Sequence, residues 1–346
     1  MWAWRHQLVE TCNALLHPLG AQVLRTEEIE RLRLIESRFF PVRGPSFQEG
    51  PLPSGAEDYL RPENPRLLQI KKSYEALSSP AIRHSIWRTE VRTINLRYFR
   101  GDNPYVFQFQ QGNSELAHIL TAYYTKTVDC LALLGRLKED GEFGVYTFLF
   151  DDELVLSRDL LDSVNEILFL EETMELSKRS GLNVLDIGAG YGRLAYRMAA
   201  GVPSVSNYIC VDAIPESSFL CEYYLEYRGV SPRARAVPLD EIEDVLAQVP
   251  VQLAINIHSF PECTMEAIDW WLDLLQRHRV QYLMIVPNHG TAFLSYELNG
   301  ERLDFLPVIQ SHRYQLLSSR PKYKNPSVQK YGVSPEAHYH LFMLSV

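Results

Sequence analysis

The chain has 346 residues, 46% of them hydrophobic and 22% charged, with a formal net charge of −9. That length holds one large domain or two smaller ones and buries a core without disulfides or metal. The acidic balance argues against broad binding to the phosphate backbones of nucleic acid.

The five cysteines, at positions 12, 130, 210, 221 and 263, show neither a CxxC pair nor zinc-type spacing. They are expected to be free thiols in a reducing cytoplasm. MWAWRHQLVETC meets Arg5 and Glu10 before any long apolar run, so no signal peptide is expected. No apolar stretch reaches the roughly 18 residues of a membrane span.

Residues 1 to 37 are expected to be helical, with Leu8, Cys12, Leu15 and Leu16 on one face. A proline- and glycine-rich loop or wrapping arm follows over 38–66, since each proline removes an N–H and restricts its neighbour. From 67 to about 138 the pattern is again mostly helical. There Arg83, Arg88, Arg92, Arg97 and Arg100 recur at steps of three to five. They form either a cationic face for an anionic ligand or a solvated helix face. SRDLLDSVNEILFLEETMELSKRSG predicts a helix over 157–181, capped by Ser157, with Asp159 at its positive end and Gly181 closing it.

Beyond that helix the texture changes. NVLDIG, NYICVDA, RARAVPL, VQLAINIH and VQYLMIVP are short apolar runs separated by helical segments. They predict parallel strands covered on both faces. RYQLLSS and HYHLFMLSV follow without a clear helix between them and suggest an antiparallel finish. The change of texture sets the expected division: a mostly helical N-terminal cap or dimerisation region over 1–150, and a cofactor-binding domain over 151–346.

VLDIGAGYG is a strand that breaks into glycines before a helix. Gly188 and Gly190 fit the first two places of a dinucleotide fingerprint, but Arg193 stands where the third glycine belongs. Asp186 lies two residues before the first glycine, where a carboxylate repels a pyrophosphate and suits a cationic amino group. Asp212, at the tip of the next strand, can accept both hydroxyls of a ribose. NAD would use Asp212 in the same way; the pair Asp186 and Asp212 points instead to S-adenosyl-L-methionine. Ala213 adjoins that site, and Asn256 and Ile257 end the fourth strand against it.

The expected reacting groups follow strands four and five: His258 and Glu262 in NIHSFPE, and His289 in VPNHG. A hydroxyl, about as weak an acid as water, needs a positioned base, and a neutral imidazole suits neutral pH. Glu262 either orients an imidazole or simply starts the next helix. No metal is expected, because strand four offers Asn256 where a further carboxylate would help.

Several stretches together resemble the bacterial sugar O-methyltransferase family of natural-product pathways: FRGDNPYVFQ (99–108), EDGEFGVYTF (139–148), SRDLLDSVNEILFLE (157–171), VLDIGAGYGRLAYR (184–197) and NIHSFPE (256–262). The resemblance spans residue 80 onward. It implies a Rossmann-like class I methyltransferase fold, an α/β seven-stranded sheet whose last strand is antiparallel. It also implies methylation of a hydroxyl on a small metabolite, often a deoxysugar; the cytoplasmic location is expected separately, from the thiols and the lack of a signal or membrane span. Leu239 and Asp240 would flank the adenine. Residues 105–111 and 143–146 would fold over the cofactor as a lid, with Tyr146 and Arg100 as substrate contacts; read from its residues alone, FGVYTFLF is aromatic and apolar enough to be core instead. A methyltransferase for a peptide or amine, or a cofactor-binding partner subunit without turnover, remain alternatives. A homodimer is expected, with neither nucleic acid nor membrane as partner.

Overall fold

The computed structural model describes residues 12, 50–82, 94–101, 115–151, 153–288 and 290–345. The chain separates into two compact units, Met1–Gln48 and Glu49–Val346, and nearly all described residues belong to the second. Apart from Cys12, the expected helical stretch of residues 1–37, together with residues 38–49 of the expected loop over 38–66, Arg83, Arg88 and Arg92, the segment 105–111 and His289, lies outside the described residues.

The longer helices, in chain order, are α1 (Pro65–Ala76), α2 (Glu115–Val128), α3 (Arg158–Met174), α4 (Arg193–Gly201), α5 (Pro215–Tyr227), α6 (Ile242–Gln248), α7 (Met265–Arg277), α8 (Leu306–Ser311) and α9 (Pro326–Tyr331). A small antiparallel hairpin, β1 (Phe148–Phe150) with β2 (Leu154–Leu156), precedes α3. The main sheet comprises β3 (Leu182–Ile187), β4 (Val205–Val211), β5 (Ala234–Ala236), β6 (Leu253–Ile257), β7 (Tyr282–Val286), β8 (Tyr314–Pro321) and β9 (His338–Leu344).

These seven strands lie in the order β5-β4-β3-β6-β7-β9-β8. The five apolar runs pair as parallel neighbours, and β9 enters antiparallel to both β7 and β8. This order, with one reversed strand, is the class I methyltransferase arrangement of a Rossmann-like sheet. A short helix, α9, stands between the last two strands where none was expected; Asn325 caps it by accepting from Ser327 N–H and Val328 N–H.

The near-continuous apolar texture has a simple cause. Side chains of a strand alternate between faces, and here both faces are covered. Leu185, Ile209, Ala254 and Ile285 enter one core with α1, α6 and α7. Val184, Tyr208, Leu253 and Met284 enter the other with α3 and α4. All six residues of β3 are buried.

α3 begins as the sequence predicts: the Ser157 hydroxyl accepts from Leu160 N–H at 3.1 Å. It stops at Met174 rather than near Gly181. Glu175 turns left-handed (φ 52°), and Arg179 Nε donates to the freed Met174 carbonyl at 2.8 Å. That nearby side chain satisfies a carbonyl that a continued helix would have left for residue 178.

The chain runs from β3 outward through β4 and β5, then returns to lay β6 and β7 on the other side of β3. Between the carboxyl ends of β3 and β6 the direction reverses, leaving the crevice where open α/β sheets place their ligands.

Candidate active site

β3 delivers Asp186 and Ile187 to that crevice and then turns. Gly188 has φ 75°, and a Cβ there would lie 2.2 Å from Ser259 Oγ. Only glycine combines that backbone with that approach. Gly192 (φ 85°) caps α4, whose first residue is Arg193.

The two acids sit on either side of the turn. Asp186 is buried and accepts from the Tyr208 hydroxyl at 2.9 Å. Burial pushes its pKa up to about 7, against the pull of that bond and of Arg193. Asp212 accepts from Ile214 N–H at 2.9 Å and from Gly190 N–H at 3.0 Å. Burial raises it to about 6 even so. Each carboxylate is therefore short of compensating positive charge.

Across the crevice β6 ends at Ile257, and His258 adopts φ 63°. That left-handed backbone is costly for a side chain of this size, on the order of 1–3 kcal/mol. Its N–H donates to the Val286 carbonyl at 2.8 Å, which holds the turn against β7. The residue lines the crevice and is exposed to it. The surrounding protein, with Arg158 and Arg193 nearby, lowers its pKa to about 4. The imidazole is neutral at pH 7.

One cavity of about 180 Å³ joins these groups, more than ten times the space a single water needs. Of the residues expected at the site, Asp186, Gly188, Gly190, Asp212, Ala213, Ile257, His258 and Glu262 line it together. Asn256 does not. It is buried behind the wall, where its amide donates to the Ile187 carbonyl and accepts from Phe260 N–H, both at 2.9 Å. It is thereby the clasp that fixes the β3 end to the turn carrying His258.

Leu239 and Asp240 stand beyond β5, in a short 3₁₀ turn outside this lining. Leu239 is buried and Asp240 exposed. Tyr146 is half-buried and meets His118 edge-on, ring centroids 6.2 Å apart. Arg100, expected as a substrate contact, is not part of the cavity lining. It is fully buried and pairs with both oxygens of Glu139 at 2.7 and 2.8 Å, with Asp159 3.5 Å from its Nε. Asp159 also accepts from Tyr191 of the glycine turn.

Sequence reasoning missed Ala81, Arg193, Ser217 and Trp271 in the lining. Arg193 carried a signal, since it occupies the place of a third glycine. In the fold it is held by Glu166 at 2.7 Å and Ser163 at 2.8 Å. Ala81 and Trp271 carried none: they arrive from a distant segment and from the buried face of α7.

Among the described residues no group of three or more His, Cys, Asp or Glu is placed to hold a metal ion. Nor is any of their helices long and apolar enough to cross a membrane.

No protein-family model matches the chain, and no curated protein matches it in sequence. Among solved structures it is similar to an S-adenosylmethionine-dependent methyltransferase from Clostridium acetobutylicum, with 14% identity and a TM-score of 0.39, over 53% of this chain and 91% of that one. Magnesium protoporphyrin IX methyltransferase from Synechocystis is similar at 12% identity and a TM-score of 0.37, over 54% and 83%. The [4+2]-cyclase SpnF is similar at 13% identity and a TM-score of 0.39, over 66% and 96%. These are distant likenesses. The fold assignment rests on the strand order, and the functional reading rests on the cavity.

Proposed function

We propose that this chain is an S-adenosyl-L-methionine-dependent O-methyltransferase acting on a hydroxyl of a small metabolite, with a sugar or glycosylated natural product as first choice. One observation carries the reading: a single cavity joins two under-compensated carboxylates, a glycine turn without room for side chains, and a neutral histidine.

The residues fit the cofactor. Asp186 would hold the α-ammonium and Asp212 the ribose hydroxyls, with Gly188 and Gly190 letting the chain pass close beneath. When bound, S-adenosyl-L-methionine supplies a methyl group activated by a sulfonium. His258 accepts the proton of the acceptor hydroxyl as its oxygen attacks. Because His258 is uncharged beforehand, it does not repel a cationic neighbour. A lowered pKa makes it a weaker base, so a nearby carboxylate helps by favouring the imidazolium that forms. Glu262 lines the same cavity and would take that role.

The test is direct. Purified protein is incubated with S-adenosyl-L-methionine and a panel of deoxysugars and glycosides, and S-adenosylhomocysteine is quantified. Turnover with a hydroxylated acceptor supports the reading; tight binding of the donor without turnover on any hydroxyl or amine overturns it in favour of a non-catalytic partner.

A further inference from the structure

Tyr74 lies near the end of α1, 138 residues before Asp212 in the sequence, and its phenol is buried at 3% exposure. A phenol has one proton to donate and room to accept two hydrogen bonds. All three are used. The hydroxyl donates to the Asp212 carbonyl at 3.0 Å and accepts from Leu239 N–H at 2.9 Å. Ser218 Oγ lies 2.9 Å away and supplies the third partner. Burial pushes the phenol up to about 12, so it stays protonated throughout the working range.

Asp212 follows directly on β4 and Leu239 lies just beyond β5. One hydroxyl therefore ties the carboxyl ends of two neighbouring strands. The tie is anchored, since α1 is clamped to α5 by Arg66–Glu222 at 2.8 Å and Lys71–Glu216 at 2.7 Å. The Leu239 N–H is buried at the edge of a short strand and takes its bond from this side chain rather than from the sheet.

We propose that Tyr74 is a positioning residue for the adenosyl end of the cofactor site, fixing the Asp212 backbone against the turn at Leu239. This rests on the S-adenosyl-L-methionine reading above. It also gives the helical segment ahead of the sheet a role at the site: α1 supplies a part that the sheet lacks.

The experiment compares wild type, Tyr74→Phe and Asp186→Asn by isothermal titration with two probes. One is S-adenosylhomocysteine; the other is 5′-methylthioadenosine, which shares the nucleoside but has no amino-acid group. Tyr74→Phe keeps the ring and leaves a buried N–H unpaired, so both ligands should weaken by the same factor, about three- to tenfold. Asp186→Asn should weaken only S-adenosylhomocysteine. A merely structural role would lower the stoichiometry by unfolding a fraction of the protein while leaving Kd unchanged, and that result overturns the proposal. Unchanged binding of both probes overturns it too. Failure of wild type to bind either probe removes the cofactor reading itself, and this proposal with it. If Tyr74→Phe does not fold, Ser218→Ala replaces it, with a smaller weakening in the same proportion for both probes expected and no change overturning the proposal.

Discussion

Gly190 donates its backbone N–H to the Asp212 carboxylate at 3.0 Å, so the glycine turn and the neighbouring strand end are one unit. Movement of either displaces the other. The acid is thus prepared for a ligand while already bonded to the loop that must contact it.

The charge state of that unit sets a pH dependence for cofactor binding. Asp186 and Asp212 lose their protons near 7 and 6, and only the ionised forms attract an ammonium or accept two ribose hydroxyls. Affinity for S-adenosylhomocysteine should rise between about pH 5 and pH 8 and level off above. Binding near pH 6.5 should release protons, measurable as a dependence of the titration heat on buffer ionisation enthalpy. A flat profile across that range counts against the assignment.

The same raised acid costs stability in the free protein. An unfolded aspartate ionises near pH 3.9, whereas folded Asp186 does so near 7. Between those values the folded state holds the extra proton, so its stability falls as pH rises. Asp186→Asn should raise the Tm of the ligand-free protein at pH 8 and leave it little changed at pH 4. Thermal melts at the two pH values, alongside the loss of ligand binding, check the sign.

Gly188→Ala should destabilise by about 2 kcal/mol or more, combining an unfavourable left-handed backbone with the contact to Ser259. Ser259→Gly in the same chain removes the contact and should recover only part of the loss. Denaturant midpoints of the two single variants and the double variant separate the two contributions.

His258→Ala should lower kcat by about 100-fold while leaving Kd for S-adenosylhomocysteine within a factor of about two. The acid limb of the wild-type pH–rate profile should lie nearer the Asp186 value than that of His258, which falls at about 4. A limb near pH 4 assigns the profile to the histidine alone.

Arg100→Met should cost stability heavily, since Glu139 and Asp159 would lose a buried cation; breaking such a pair costs about 3–5 kcal/mol. Nucleoside affinity of the folded fraction should hold. Chemical denaturation followed by titration distinguishes the two effects.

Much of this was legible locally. The glycine turn, Asp186, Asp212 and His258 all stand at ends of apolar runs, and a strand end in an open α/β sheet is a place with a known orientation. What was not legible comes from contacts far apart in sequence. Arg100 read as a substrate contact because its partners, Glu139 and Asp159, are brought to it only by folding. Asn256 read as a lining residue because strand alternation does not reveal that its amide spans two backbone groups. Tyr74 gave no sign at all: a single tyrosine on a helix is ordinary until its hydroxyl is seen to join two strands. The early stop of α3 is by contrast a local matter: Glu175 turns left-handed and Arg179, five residues beyond Met174, caps its carbonyl.

β9 lies between β7 and β8, so β8 has no place in the sheet until residues 338–344 have arrived. The outer pair is joined to the rest of the sheet only through β9. Deleting that final segment would therefore strip two strands from the sheet instead of one, and would expose the flank of β7 next to the turn that holds His258.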